Sequence, residues 1–143
     1  MASSRSGLEL VKAVVAHALK NRCYGKFLNN VNFISAGDGQ CKAEFIVADE
    51  HLNSHGTLHG GCTSTIIDCV STYALMTNAK ALPGVSVDLH VTFLKSAFPG
   101  DTIVVDAKTI KCGRKLAFLE VELVKKKDGI IIARGQHTKF IGA

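Results

Sequence analysis

The chain has 143 residues, 47% of them hydrophobic, and a formal net charge of +5. This length and apolar content fit one folded domain with a substantial core and exclude a disordered chain. Charged residues or glycine interrupt every apolar stretch, so we expect no membrane insertion, and five cysteines without a CxxC pair are typical of reduced thiols in an intracellular protein.

The first predicted element is an amphipathic helix over residues 7–22. Ser6 and Glu9 have the spacing of a capping box, and apolar side chains recur on one helical face, namely Leu8, Val11, Val15, Ala18 and Leu19. Basic residues outnumber acids in this segment, as they do in mitochondrial targeting sequences. A helix that packs onto the domain is the simpler interpretation.

Residues 51–68 are the most informative stretch. Three glycines interrupt residues 56–61, and the next 17 residues, 62–78, contain neither Gly nor Pro, which predicts a long helix. Gly60 and Gly61 therefore lie where a loop turns into a helix, and free N–H groups there favour an anion or a developing oxyanion. Asp68 follows about two helical turns later in a mostly apolar helix. We expect it to be buried, and burying a carboxylate is costly unless it has a function.

Six strands are predicted from alternating apolar residues and turn residues: 31–36, 41–47, 85–93, 102–110, 116–124 and 130–139. The alternation in residues 85–93 is that of a half-buried strand. Short turns between the last three strands imply antiparallel pairing. We therefore expect an α+β fold, a single domain over residues 1–143, in which one curved antiparallel sheet wraps around one long buried helix.

Several short runs together resemble the hotdog-fold acyl-CoA thioesterases. They are HGTLHGG at 55–61, PGVSVD at 83–88, PGD at 99–101, LAF at 116–118 and GQHTK at 135–139. The resemblance implies hydrolysis of medium- to long-chain fatty acyl-CoA to a fatty acid and coenzyme A, with no metal or other cofactor. It also implies a homotetramer, a dimer of dimers with sites across the dimer interface, and a lipid-transfer protein as a further partner.

The resemblance also assigns catalytic roles. Asp68 would attack the thioester or activate water, and the N–H of Gly60, from the neighbouring subunit, would stabilise the oxyanion. Asn53 and His59 would hold or polarise the carbonyl. Ser86 would orient the attacking water.

Substrate-binding residues are predicted close to this constellation. Thr72, one turn after Asp68, is placed to orient the carboxylate. Basic residues cluster around the last strand turns and fit the phosphates of coenzyme A, namely Lys108, Lys111, Arg114, Lys115 and Lys125–Lys127. A solvated basic turn is the alternative interpretation, and the absence of interleaved aromatic residues argues against nucleic-acid binding.

Other interpretations of the same residues remain open. One is a non-catalytic acyl-CoA-binding hotdog protein, and another is a hotdog hydratase. His51, His55 and His59 would align a metal site on a helix, but the glycines there disfavour a helix. Cys62 is either a nucleophile near His59 or, more simply, a small packing residue. The compartment is predicted to be the cytoplasm, with the mitochondrion as the alternative.

Overall fold

The computed structural model describes residues 2–79 and 82–142, with side chains from residue 7 onward. It contains helices α1 (Ala2–Lys20) and α2 (Gly60–Met76) and two short 3-10 helices, Tyr24–Asn30 and Asp49–His51. The six strands are β1 (Asn32–Gly37), β2 (Gln40–Ile46), β3 (Val85–Phe93), β4 (Thr102–Cys112), β5 (Leu116–Lys125) and β6 (Ile131–Phe140). Each predicted strand is present, with ends that differ by no more than two residues.

The strands form one antiparallel sheet in the order β1-β2-β4-β5-β6-β3. Helix α2 packs on its inner face, and nine residues of that helix are buried. Apolar side chains from β2, β4 and β5 meet the helix and complete the core, among them Phe45, Ile103, Val105 and Leu123. The predicted α+β hotdog arrangement, one sheet around one long helix, is confirmed. Among the described residues, no helix is both long and apolar enough to cross a membrane.

Helix α1 packs on β1 through the predicted apolar face, on which Val11 and Val15 are buried. The predicted capping box is wrong, because the helix already begins at Ala2 and Ser6 lies inside it. Gly7 explains the close approach of the two elements. A Cβ atom there would lie 2.5 Å from the carbonyl oxygen of Ala36 in β1.

Strand β3 differs from the prediction in its burial. It is paired only with β6 and ends the sheet, and every residue except the half-buried Val91 is exposed. Val87 is 60% exposed and Phe93 is 57% exposed. The alternation correctly identifies a strand, but the predicted burial of one face is wrong, because apolar side chains of β3 are exposed at the end of the sheet.

Candidate active site

The N-terminus of α2 is built by the loop that precedes it. The predicted start at residue 62 is corrected to Gly60, with His59 as the N-cap residue in an extended conformation. The His59 N–H donates to the carbonyl of His51 at 2.8 Å, which anchors the loop. The N–H of Gly61 donates to the Nδ1 atom of His59 at 2.7 Å. Among the described residues, the N–H of Gly60 has no acceptor and remains available to a ligand.

Asn53 organises the same loop. Its side-chain oxygen accepts hydrogen bonds from the N–H groups of His55 and Thr57, at 2.9 and 3.1 Å. Its Nδ2 atom donates to the hydroxyl of Thr57 at 2.8 Å. An amide nitrogen carries two hydrogens, so one remains for the carbonyl contact predicted for Asn53. The side chain therefore has a structural role in the loop, and its catalytic role stays a prediction.

Asp68 is more open than predicted. Its side chain is 48% exposed. The hydroxyls of Ser64 and Thr72 do not satisfy the carboxylate, since they donate to the main-chain oxygens of Gly60 and Asp68, at 2.9 and 2.8 Å. The carboxylate is thus accessible to water and substrate, and the orienting role of Thr72 stays a prediction.

A buried histidine beside Asp68 was not identified from the sequence. The side chain of His137, on β6, is fully buried, and its Nε2 atom lies 3.9 Å from Oδ1 of Asp68. Nε2 is also 2.7 Å from the hydroxyl of Ser86, and Nδ1 is 2.8 Å from the hydroxyl of Ser71. His137 therefore brings the hydroxyl of Ser86 close to the carboxylate of Asp68 and links β3 to α2.

Two buried ionisable side chains near Asp68, those of His137 and Lys139, have shifted pKa values. Burial lowers the pKa of His137, while Asp68 and Asp88 raise it and Lys139 lowers it further. Lys139, only 4% exposed, donates from Nζ to the Thr72 hydroxyl at 2.7 Å. Burial lowers its pKa too, and the negative charge of Asp68 opposes that effect. Both residues lie in the run at 135–139, which is part of the resemblance to the family, but the sequence did not indicate what either residue does.

The two groups of predicted catalytic residues do not meet within one chain. Gly60 and Asp68 are eight residues apart on α2, which places them about 12 Å apart along the helix axis. Asn53 and His59 lie with Gly60, whereas Ser86 lies with Asp68. One thioester carbonyl cannot contact both ends, so within one chain the predicted catalytic residues form two separate groups, here called half-sites.

The basic residues divide into two groups. Lys111, Arg114 and Lys115 lie together at the turn between β4 and β5 and are exposed. Lys125–Lys127 lie at the other end of β5, roughly 30 Å away for ten residues of strand. There Lys125 and Lys126 contact Asp101 and Glu44, at 3.4 and 3.2 Å. The basic residues around the last strand turns therefore lie at opposite ends of β5, and Lys125 and Lys126 are already engaged by carboxylates.

Two rival interpretations lose support, namely Cys62 as a nucleophile and a metal site formed by histidines. Burial, with a smaller contribution from Glu50, raises the pKa of Cys62 to about 12, so its thiol stays protonated and packs as a small apolar group. The Nδ1 atoms of His51 and His59 each accept a main-chain N–H, from Ala48 and Gly61. Both rings are therefore already engaged in holding the loop.

The fold and this constellation define the class of protein. The sequence model of the thioesterase superfamily matches residues 55–132, more than half of the chain, and the chain belongs to this superfamily.

The chain is 41% identical over 134 residues to acyl-coenzyme A thioesterase 13 of Homo sapiens, covering 94% of this chain and 93% of that relative. The crystal structure of zebrafish thioesterase superfamily member 2 has a TM-score of 0.91 at 39% identity, covering 94% of this chain and 98% of that one. The Mus musculus member 2 structure has a TM-score of 0.84 at 37% identity, covering 97% of both chains.

Proposed function

We propose that this protein is an acyl-CoA thioesterase that hydrolyses medium- to long-chain fatty acyl-CoA to a free fatty acid and coenzyme A. The observation that carries the proposal is the half-exposed carboxylate of Asp68, which lies 3.9 Å from His137. Superfamily membership and high coverage of a relative named acyl-coenzyme A thioesterase 13 support the reaction class. Coenzyme A enters as part of the substrate, and no metal or other cofactor takes part.

In this mechanism Asp68 takes the proton of the attacking water or attacks the thioester carbon itself. The N–H of Gly60 and donors from Asn53 and His59 stabilise the negative charge on the carbonyl oxygen. Ser86, held by His137 at 2.7 Å, orients the water next to the carboxylate. The thiolate of coenzyme A then leaves as the carbonyl reforms. Where Asp68 itself has attacked, this leaves a mixed anhydride, which water hydrolyses to the fatty acid and the free carboxylate.

The working unit in this proposal is a homodimer, and two dimers form a tetramer. The separation of the two half-sites by about 12 Å supports a site formed by Asp68 of one subunit and Gly60 of the other. The exposed β3 supplies a surface for the second copy, since it has a free edge and exposed apolar side chains, such as Val87 and Phe93. An unpaired, apolar edge strand is a favourable place for two copies to join.

The coenzyme A moiety would bind at the turn between β4 and β5. The cations of Lys111, Arg114 and Lys115 are grouped there and exposed, which suits a ligand with several phosphates. Thr72 belongs to the same binding region through Lys139, whose Nζ reaches its hydroxyl from β6. A cytoplasmic or mitochondrial location and a lipid-transfer partner stay predictions from the resemblance.

The decisive experiment is free-thiol release from a series of saturated acyl-CoA substrates, with Asp68→Asn beside the parent. We expect turnover by the parent and a loss of at least about a hundredfold in the variant, because the base is removed without a change of shape. Asp128→Asn, at the exposed turn between β5 and β6, is the matched control and should keep parental activity. The chain lengths that react define the acyl preference.

The outcomes also separate the alternatives. Acyl-CoA binding by the parent without thiol release would overturn the enzyme and favour a carrier. Release of thiol from a saturated substrate is not a hydratase reaction, so it excludes that alternative.

A further inference from the structure

The amino group of Lys139 is a buried ionisable group that the proposed mechanism does not use. Lys139 lies on β6 between Ala117 of β5 and Ser86 of β3, and it is only 4% exposed. Its Nζ atom donates to the hydroxyl of Thr72 on α2 at 2.7 Å. Among the described residues, no carboxylate forms an ion pair with Nζ. Burying a cation without a direct counterion is costly, so its place on the inner face of the sheet indicates a function.

Asp68 is the charged group of α2 that Lys139 acts on. Burial lowers the pKa of Lys139, and the negative charge of Asp68 opposes that effect. The interaction is reciprocal, so a positive charge on Lys139 stabilises the carboxylate form of Asp68. Burial raises the pKa of the neighbouring Cys69 thiol to about 11, so that group stays neutral. From β5, the residue opposite Lys139 is Ala117, which carries no charge.

His137 is the second ionisable group within reach of Lys139. It lies two residues earlier on β6, and both side chains are buried on the inner face of the sheet. Burial lowers the pKa of its ring, Asp68 raises it, Lys139 lowers it and Asp88 on β3 raises it. A positive charge already present on Lys139 thus makes a second one on His137 unfavourable.

A neutral His137 gives the Ser86 hydroxyl a defined direction. The Ser71 hydroxyl donates to the main-chain oxygen of Asp68 at 3.1 Å, so it accepts from Nδ1 of the ring at 2.8 Å. In a neutral ring Nε2 then has no hydrogen and accepts from the Ser86 hydroxyl at 2.7 Å. The Ser86 oxygen is left as an acceptor for a hydrogen of the attacking water. A protonated ring would donate to Ser86 instead, and the hydroxyl would point its hydrogen at the water.

We propose that Lys139 is a positioning residue whose buried ammonium keeps Asp68 as a carboxylate and His137 as a neutral ring. It supplies the positive charge of this layer, so the carboxylate stays available as a base and Ser86 stays an acceptor for water. Thr72 holds the ammonium in place. The kinetic half of this inference rests on the proposed thioesterase function, whereas the charge states belong to the resting protein and are testable without substrate.

The charge state of His137 is tested by NMR titration of protein labelled with 15N-histidine, in which its signal is identified by its loss in His137→Gln. We expect a midpoint below 6.5 in the parent. In Lys139→Met the midpoint should rise by on the order of one pH unit, because the charge is removed with little change of shape. Lys12→Met, which removes an exposed charge on α1, is the matched control and should leave the midpoint unchanged. An unchanged midpoint in Lys139→Met would overturn the proposal.

The charge on Lys139 is tested in the parent itself, so this part does not depend on how a variant folds. In protein labelled with 13C-lysine, the Cε signal of Lys139 is identified by its contacts with Thr72. We expect the chemical shift of an ammonium at neutral pH. A neutral amine there would overturn the proposal, whatever the activity of the protein.

The kinetic half is tested by the pH dependence of kcat/KM for thiol release. In Lys139→Met the acid limb should move to higher pH by on the order of one unit, because Asp68 and His137 both bind protons more readily. Activity on the alkaline side should stay near the parental value. Lys139→Arg restores a positive charge, so its acid limb should return towards that of the parent.

The outcomes distinguish failure of this inference from failure of the function. An equal loss of activity at every pH, with an unmoved acid limb, would mean that Lys139 only packs, and would overturn the positioning role. A parent that releases no thiol at all refutes the thioesterase and with it the kinetic half, while the two NMR measurements still decide the charge states.

Discussion

At the scale of single residues, the backbone N–H of Gly60 can be removed by substitution with proline. It is the first residue of α2, a position where proline fits well, and His59 before it is extended with φ −66° and ψ 134°, as proline requires of the preceding residue. Gly60→Pro therefore deletes the N–H without disturbing the helix. We expect a loss in kcat of about a hundredfold, as for removal of an oxyanion donor, measured by thiol release.

Gly60→Ala is the matched control. It adds the same Cβ atom against Phe93, whose ring is 57% exposed and can move, but keeps the N–H. It should retain most of the activity. If both variants lose activity equally, the steric contact and not the hydrogen bond is responsible.

His137 makes the stability of the protein sensitive to acid. Burial lowers its pKa from the ordinary 6.5, so the unfolded chain takes up this proton before the folded chain does. Above about pH 6.5, His137 therefore does not make the free energy of unfolding depend on pH. As the pH falls from there through the lowered pKa of the folded state, protonation favours the unfolded chain and the free energy of unfolding decreases. When urea unfolding is measured across this pH range, the free energy of unfolding should decrease less for His137→Gln than for the parent.

His17→Gln is the control for this measurement, since His17 is exposed on α1. Its acid loss should equal that of the parent. A His137→Gln variant with the parental pH dependence would contradict the assignment of the proton to this buried ring.

At the scale of elements, the contact between α2 and β6 depends on Gly135. A Cβ atom there would lie 2.6 Å from Cγ2 of Ile67, which is fully buried and cannot move aside. The glycine lets the helix approach the strand that carries His137, so Ser71 and Asp68 reach its ring. We expect Gly135→Ala to lower the free energy of unfolding by about 1–3 kcal/mol.

A double-mutant cycle checks that this loss comes from the contact. Ile67→Ala alone should cost about 2–5 kcal/mol through the cavity it leaves. Because that cavity accepts the new methyl group, the double variant should be less destabilised than the sum of the two single variants. Additive losses would mean that Gly135 is needed for a reason other than the approach of α2.

At the scale of the whole molecule, the proposed dimer predicts complementation between two inactive variants. Asp68→Ala damages one half-site and Gly60→Pro the other, so each homodimer has no intact site. A mixed dimer carries both changes in one composite site and none in the other. Random mixing should therefore restore about a quarter of the parental activity, since half of the dimers are mixed and each has one good site of two.

Co-expression with two different affinity tags, followed by purification through both, removes assemblies that contain only one variant. The purified tetramers should have roughly a quarter of the parental activity or slightly more, because some of them combine one dimer of each variant. No recovery in this material would contradict a shared site and require both half-sites to act within one chain.

The sequence by itself determined the features that depend on neighbouring residues. Period-two alternation located all six strands, an uninterrupted run located α2, and the glycines before it located the donors at its start. The pattern also singled out Asp68 on α2. These are local signals, because backbone geometry and the spacing of apolar side chains act over a few residues.

Only the tertiary structure decided what surrounds these residues. His137 reaches Ser71 across 66 positions of sequence, through the packing of α2 on β6, which no local pattern specifies. The openness of Asp68, the exposure of β3 and the division of the basic residues between two ends of β5 follow from strand order and packing.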